Sequence, residues 1–192
     1  MQKSQPLEFI THETDAPVDA CVIWLHGLGA DGHDFAGIIH QLQLPENLGI
    51  RFIFPHAPKR PVTLNNGFVM RAWYDIYSLN DLNEQDRAGI LSSEAAILQL
   101  IQQQLMAGIA ATRIILAGFS QGGALALHTG LRFSSPLGGI LGLSTYLPLS
   151  KQFDNQQLAN REMPVFLAHG RLDDILPLSL GEMTRDLLQK LG

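Results

Sequence analysis

At 192 residues, 46% apolar and 16% charged, the chain is long enough to bury a sizeable core and too apolar to be a disordered segment. Its formal charge of −5 argues against nucleic acid or an anionic membrane surface as the main partner. Cys21 is the only cysteine, which excludes an internal disulfide, and no basic-then-apolar leader opens the sequence, so the expected compartment is the cytoplasm.

The first predicted element is a short extended piece at Leu7-Glu8-Phe9-Ile10-Thr11. Next comes Ala20-Cys21-Val22-Ile23-Trp24-Leu25, an unbroken apolar run of strand length that suits burial on both faces of a parallel sheet. Cys21 lies inside it and reads as an inert core residue. His26-Gly27-Leu28-Gly29-Ala30-Asp31-Gly32 follows. A glycine-rich loop at a strand's carboxyl end can aim backbone N–H groups at an anion, either an oxyanion or a phosphate. No Gly-Lys-Ser/Thr follows to support a phosphate loop. His26, His33 and His40 with Asp31 and Asp34 raise a metal site, but no motif such as H-E-x-x-H accompanies them and no metal is expected. Asp34 is predicted to cap a helix carrying Phe35, Ile38, Ile39 and Leu42.

Ile50-Arg51-Phe52-Ile53-Phe54 is the next predicted strand, and residues 59–83 read as one long irregular stretch. Loops of that length are usually functional. Met70, Trp73 and Tyr74 in it either line a substrate groove or pack the loop onto the body. Residues 87–107 give a clear helix, with Ile90, Ile97, Ile101 and Leu105 on one stripe and Gly108 ending it.

Arg113-Ile114-Ile115-Leu116 then leads as a strand into Gly118-Phe119-Ser120-Gln121-Gly122, followed by an apolar helix. A serine between two glycines on a strand-to-helix turn is the nucleophile elbow of serine hydrolases, where glycines let strand and helix approach closely. Residues 137–144 and 164–168 are two more predicted strands. The second ends in His169-Gly170-Arg171-Leu172-Asp173-Asp174, where either aspartate is placed to be a catalytic acid or a solvated loop residue. A helix over residues 178–191 closes the chain, with Leu180, Met183, Leu187 and Leu188 inward. No apolar stretch reaches membrane-span length, so stable membrane insertion is not expected.

Alternating strands and helices imply a mostly parallel sheet with helices on both faces, an α/β fold. Ligands bind such sheets at the strand carboxyl ends, where the glycine-rich loop, Ser120 and Asp173 all fall. The chain resembles the phospholipase/carboxylesterase family of α/β-hydrolases, which includes bacterial carboxylesterases and acyl-protein thioesterases. The likeness rests on His26-Gly27-Leu28-Gly29, Phe54-Pro55-His56-Ala57-Pro58, Trp73-Tyr74-Asp75, Gly118-Phe119-Ser120-Gln121-Gly122-Gly123, Leu143-Ser144-Thr145-Tyr146-Leu147-Pro148 and the segment from His169-Gly170 to Pro177.

The resemblance implies a single α/β-hydrolase domain over residues 1–192, with Ser120 as nucleophile and Asp173 as acid. It implies backbone N–H groups of Leu28 and Gln121 as oxyanion donors and no cofactor. The implied substrates are short-chain esters, acyl thioesters or lysophospholipids. It also implies a catalytic histidine about thirty residues beyond the aspartate, after one more strand. Gly192 precedes that segment, and none of the seven histidines is a convincing substitute. The expectation is therefore a C-terminally incomplete domain. The strand at 164–168 would be an edge open to association, which makes a homodimer one expected state. A protein that keeps the pocket and binds acyl ligands or a partner without catalysis is the alternative function.

Overall fold

A computed structural model describes residues 6–79, 84–152, 160 and 162–191. Eight strands appear among them: β1 (Phe9–Glu13), β2 (Ala20–Leu25), β3 (Ile50–Pro55), β4 (Lys59–Val62), β5 (Phe68–Arg71), β6 (Ile114–Phe119), β7 (Gly139–Leu143) and β8 (Val165–Ala168). Six form one sheet in the order β1-β3-β2-β6-β7-β8. β1 runs antiparallel to β3, and every other pairing is parallel. Four α-helices are α1 (His33–Ala36), α2 (Arg87–Met106), α3 (Gln121–Arg132) and α4 (Leu178–Leu191).

Alternation along the strands divides the core between the two sheet faces. Cys21, Ile23 and Leu25 of β2 join Ile53, Ile114, Leu116 and Ile140 on the face packed by α2, α3 and α4. Trp24, Phe52, Phe54 and Ala117 face the opposite way, under Phe35, Ile38 and Ile39. Among the described residues, that second face carries only the short α1 and the 3-10 turn Gly37–Gln41, so their helical cover is unequal. α3 is buried along almost its whole length because α2 covers its outer side. Complete burial of Leu125, Leu127, Ile97 and Ile101 contributes about 1.5–3 kcal/mol each. Burial also pushes the Cys21 thiol up to about 12, which makes it unreactive.

α2 begins where the Asp86 carboxylate accepts from Gly89 N–H at 2.8 Å and ends before Gly108, whose φ is +90°. Its predicted stripe is in place, with Ile90, Ile97 and Ile101 fully buried.

Three local expectations are corrected. The first half of the supposed irregular stretch is a hairpin, β4 against β5 in the register Lys59↔Arg71 to Val62↔Phe68. Pro61 is tolerated there because a two-stranded ribbon leaves a free edge. Residues 80–83 of that stretch lie outside the described part, as do 153–159 and 161 of the polar segment before β8. Asp34 is not a cap, because it already lies inside α1, on a turn that opens three residues earlier at Asp31. The Asp31 carboxylate accepts from His33 N–H at 2.8 Å and its carbonyl from Asp34 N–H at 3.1 Å. Met183 of α4 is 67% exposed; Thr184 is the buried residue of that turn, with its hydroxyl accepting from Leu147 N–H.

Candidate active site

β6 delivers Ser120 to the carboxyl end of the sheet, between β2 and β7. Ser120 takes φ 52° and ψ −118°, a sparsely populated conformation held by its surroundings. Its N–H donates to Leu143 O at 2.9 Å, and its carbonyl accepts from Ala124 N–H and from the Thr145 hydroxyl at 2.8 Å. Two glycines make the turn possible. A Cβ on Gly118 would sit 2.4 Å from the Gly122 carbonyl carbon, and one on Gly122 would sit 2.3 Å from Leu25 O. Strand, helix and the end of β2 meet backbone to backbone.

The loop after β2 is fastened at several points. Gly29 N–H donates to Arg71 O at 2.8 Å. The buried His26 ring receives Ala57 N–H on Nε2 at 3.0 Å, and its Nδ1 lies 2.7 Å from Gly27 O. These contacts fit one neutral tautomer, with Nδ1–H donating to the carbonyl. Burial accordingly pushes the His26 pKa down. Neither Leu28 N–H nor Gln121 N–H donates to a described backbone acceptor. Gln121 opens α3, where the first N–H groups lack intrahelical partners and favour negative charge.

Asp173 stands on the loop after β8. Its Oδ1 accepts from Leu176 N–H at 2.9 Å and Ile175 N–H at 3.1 Å. The Leu176 N–H above all, then the Ile175 N–H and the Ser144 hydroxyl, hold its carboxyl below the usual aspartate range. Asp174, the alternative acid, does not line the cavity described next. His169 Nε2 lies 3.8 Å from Asp173 Oδ2, but its closer contact is Leu176 O at 2.7 Å. It lines the space beneath α4 instead.

Ser120, Asp173, Gly27, Leu28 and Ser144 open onto one cavity of about 520 Å³, whose apolar wall includes Leu64, Ile76, Phe119 and Leu176. Among the described residues, no histidine lines it. Ser144, at the carboxyl end of β7 with φ 43°, is a site residue the sequence reading left without a role. Its position at a strand end was the available signal.

Met70, Trp73 and Tyr74, open between groove wall and loop packing, do not line the cavity. Trp73 and Tyr74 are buried in the core, at 0% and 1% exposure. The Tyr74 hydroxyl pairs with that of Tyr146 at 3.1 Å, and the Trp73 indole N–H donates to His26 O at 2.9 Å. Both point inward because these polar tips find buried partners there. Met70 lies beside Gly29 and is not part of the cavity wall. The wall is supplied from the same segment by Leu64, Ile76 and Leu79.

Among the described residues, Asp31, His33 and His56 bring one potential metal-ligand atom each within 4.8 Å of one another. This is not the grouping the sequence suggested, since His26 uses Nδ1 on Gly27 O and Nε2 on Ala57 N–H, and His40 stands against the His12 ring. Within the group, His33 Nδ1 lies 3.0 Å from Asp31 and His56 Nδ1 accepts from Gly32 N–H at 3.0 Å. No helix among the described residues is long and apolar enough to cross a membrane.

Comparison with known proteins agrees with this architecture. The sequence model of a family described as Phospholipase/Carboxylesterase matches residues 7–192. "Acyl-protein thioesterase 1" of Neurospora crassa is 44% identical over 182 residues, covering 90% of this chain and 74% of the relative. The protein of that name from Yarrowia lipolytica is 41% identical over 172 residues, covering 88% and 76%. Among solved structures, Zea mays acyl-protein thioesterase 2 superimposes with a TM-score of 0.83 at 28% identity, over 96% of this chain and 85% of that one. Arabidopsis thaliana SOBER1 gives 0.82 at 30% identity, over 90% and 84%.

Proposed function

The chain belongs to the phospholipase/carboxylesterase family, a family of hydrolases, and on that premise we propose that it cleaves carboxylic esters or acyl thioesters through an acyl-enzyme on Ser120. The observation that carries this reading is the shared cavity. It holds a serine on a strained strand-to-helix turn, a carboxylate kept ionised and an apolar wall suited to an acyl chain.

In this reading Ser120 Oγ attacks the acyl carbonyl, and its proton passes to a histidine oriented by Asp173. The alcohol or thiol leaves, taking that proton, and water then releases the acid. The Leu28 and Gln121 N–H groups receive the oxyanion; each such donor is worth about 10²–10³ in kcat. A serine without a general base is a weak nucleophile, so the histidine is essential to the scheme. A second reading is an acyl-ligand-binding protein that uses the apolar wall of the same cavity, with Leu64, Ile76, Phe119 and Leu176.

Hydrolysis of p-nitrophenyl acetate, butyrate and octanoate and of an acyl-coenzyme A thioester separates the two. Turnover that disappears in Ser120→Ala supports the hydrolase. Saturable binding of a fluorescent fatty acid, with no Ser120-dependent turnover of any of these substrates, overturns it in favour of the binding protein.

A further inference from the structure

We propose that Trp73 is a positioning residue that locks the Leu28 and Gln121 N–H groups into one frame. The inference rests on the serine-hydrolase reading of the Ser120 cavity. An oxyanion hole works only if its donors converge on one point, about 2.7–3.1 Å from each. Here they come from the loop after β2 and the start of α3, remote in sequence. Close backbone packing of Gly122 on Leu25 and His26 sets how near the two segments lie. It does not set how each is turned.

Trp73 contacts both segments through different atoms. Its backbone N–H donates to Gln121 Oε1 at 2.9 Å, while Gln121 Nε2 donates to Tyr74 O at 2.7 Å. The Gln121 amide thus pairs with the Trp73-Tyr74 backbone as a neighbouring strand would, fixing the residue whose own N–H opens α3. On the other side, the indole N–H donates to His26 O at 2.9 Å, and the indole packs on the His26 ring at 5.2 Å between centroids. His26 in turn holds Gly27 O through Nδ1–H, one residue before Leu28. The Trp73 carbonyl accepts from the Ser93 hydroxyl, so the brace is anchored to α2. Every polar atom of Trp73 is engaged, and the ring has no exposed surface.

A tryptophan serving only as core filling would need burial and one partner for its N–H. Trp24 supplies the matched control, because it is buried on the other sheet face and its Nε1 has no hydrogen-bond partner among the described residues. Trp73→Phe and Trp24→Phe remove comparable ring surface, but only the first removes a bond to the loop.

Amide hydrogen exchange at Gly29 and Ala57, the hydrogen-bonded amides next to Leu28 and on the His26 ring, reads the brace by NMR. Relative to Trp24→Phe, Trp73→Phe is expected to speed exchange at both amides about tenfold, the loss of one buried hydrogen bond. With p-nitrophenyl butyrate, kcat should fall about tenfold while KM stays within about twofold, the pattern of an interaction made only in the transition state. Should Trp73→Phe not fold, Gln121→Met, which removes the amide pairing, carries both readouts. Exchange at the two amides no faster than in Trp24→Phe overturns the proposal, as does a rise in KM with kcat unchanged. If the wild-type chain shows no Ser120-dependent turnover, the hydrolase reading fails, and the exchange comparison alone decides whether the brace exists.

Discussion

The two halves of the candidate site are built differently. Ser120 sits where β6, β2 and α3 meet without room for a methyl group, and its backbone is fixed by Leu143, Ala124 and Thr145. Asp173 sits on a loop beyond β8, the last strand of the described sheet, beside Leu172 at 96% exposure and Ile175 at 65%. One half is set by packing of the framework and the other by a few local hydrogen bonds. Changes in the first should therefore register in stability, and changes in the second in chemistry.

Gly122→Ala is the most severe test of that contrast. With Leu25 O and His26 O both within 2.5 Å of the new Cβ, backbone must move, and the cost should be about 3 kcal/mol in denaturant unfolding. Asp173→Asn should do the reverse. If Asp173 orients the catalytic histidine, kcat falls about 10⁴-fold. The melting temperature should change little, because the amide oxygen can still accept from Leu176 and Ile175. Loss of folding in Asp173→Asn with little effect from Gly122→Ala would invert the comparison.

The halves also titrate apart. Burial holds the folded pKa of His26 below its ordinary value of about 6.5, so the unfolded chain takes up the proton first. Its contribution to stability is complete above about pH 6.5 and declines as pH falls through the lowered value. His56 acts in the same direction, through desolvation and then Arg71. Asp173 contributes only lower on the scale, complete above about pH 3.9 and lost as pH falls through its depressed value. Melting temperatures between pH 7.5 and 5 should fall in the wild type and fall less in His26→Gln, whose amide does not titrate. An identical slope in the variant would remove His26 from this account. Leu172→Ser should lie at the small end, within about 0.5 kcal/mol of wild type in the same denaturant assay.

How much the sequence revealed follows the same division. The turn that carries Ser120 was legible because its constraint is local: strand, turn and helix are consecutive, and the flanking glycines are written beside the serine. β2, β3 and β6 were legible because burial on both faces leaves an unbroken apolar run. Trp73 and Tyr74 were not, because an aromatic residue in a loop reads the same whether it faces a cavity or the core. What turns Trp73 inward is the amide of Gln121 and the carbonyl of His26, each distant in sequence. β4 and β5 were hidden by Pro61 and by outward-facing Phe68 and Val69, which break the half-buried alternation that signals a strand. The entry to α1 was misread because two aspartates stand three apart, and only the fold shows that Asp31 makes the turn.

Whether Ser120 is an activated nucleophile is read by covalent labelling. The purified protein is treated with a fluorophosphonate probe, and its intact mass and proteolytic map are compared with those of Ser120→Ala. One adduct per chain is expected, located on Ser120 and absent from the variant. No adduct, or an adduct on another residue that persists in Ser120→Ala, would contradict nucleophilic activation of Ser120.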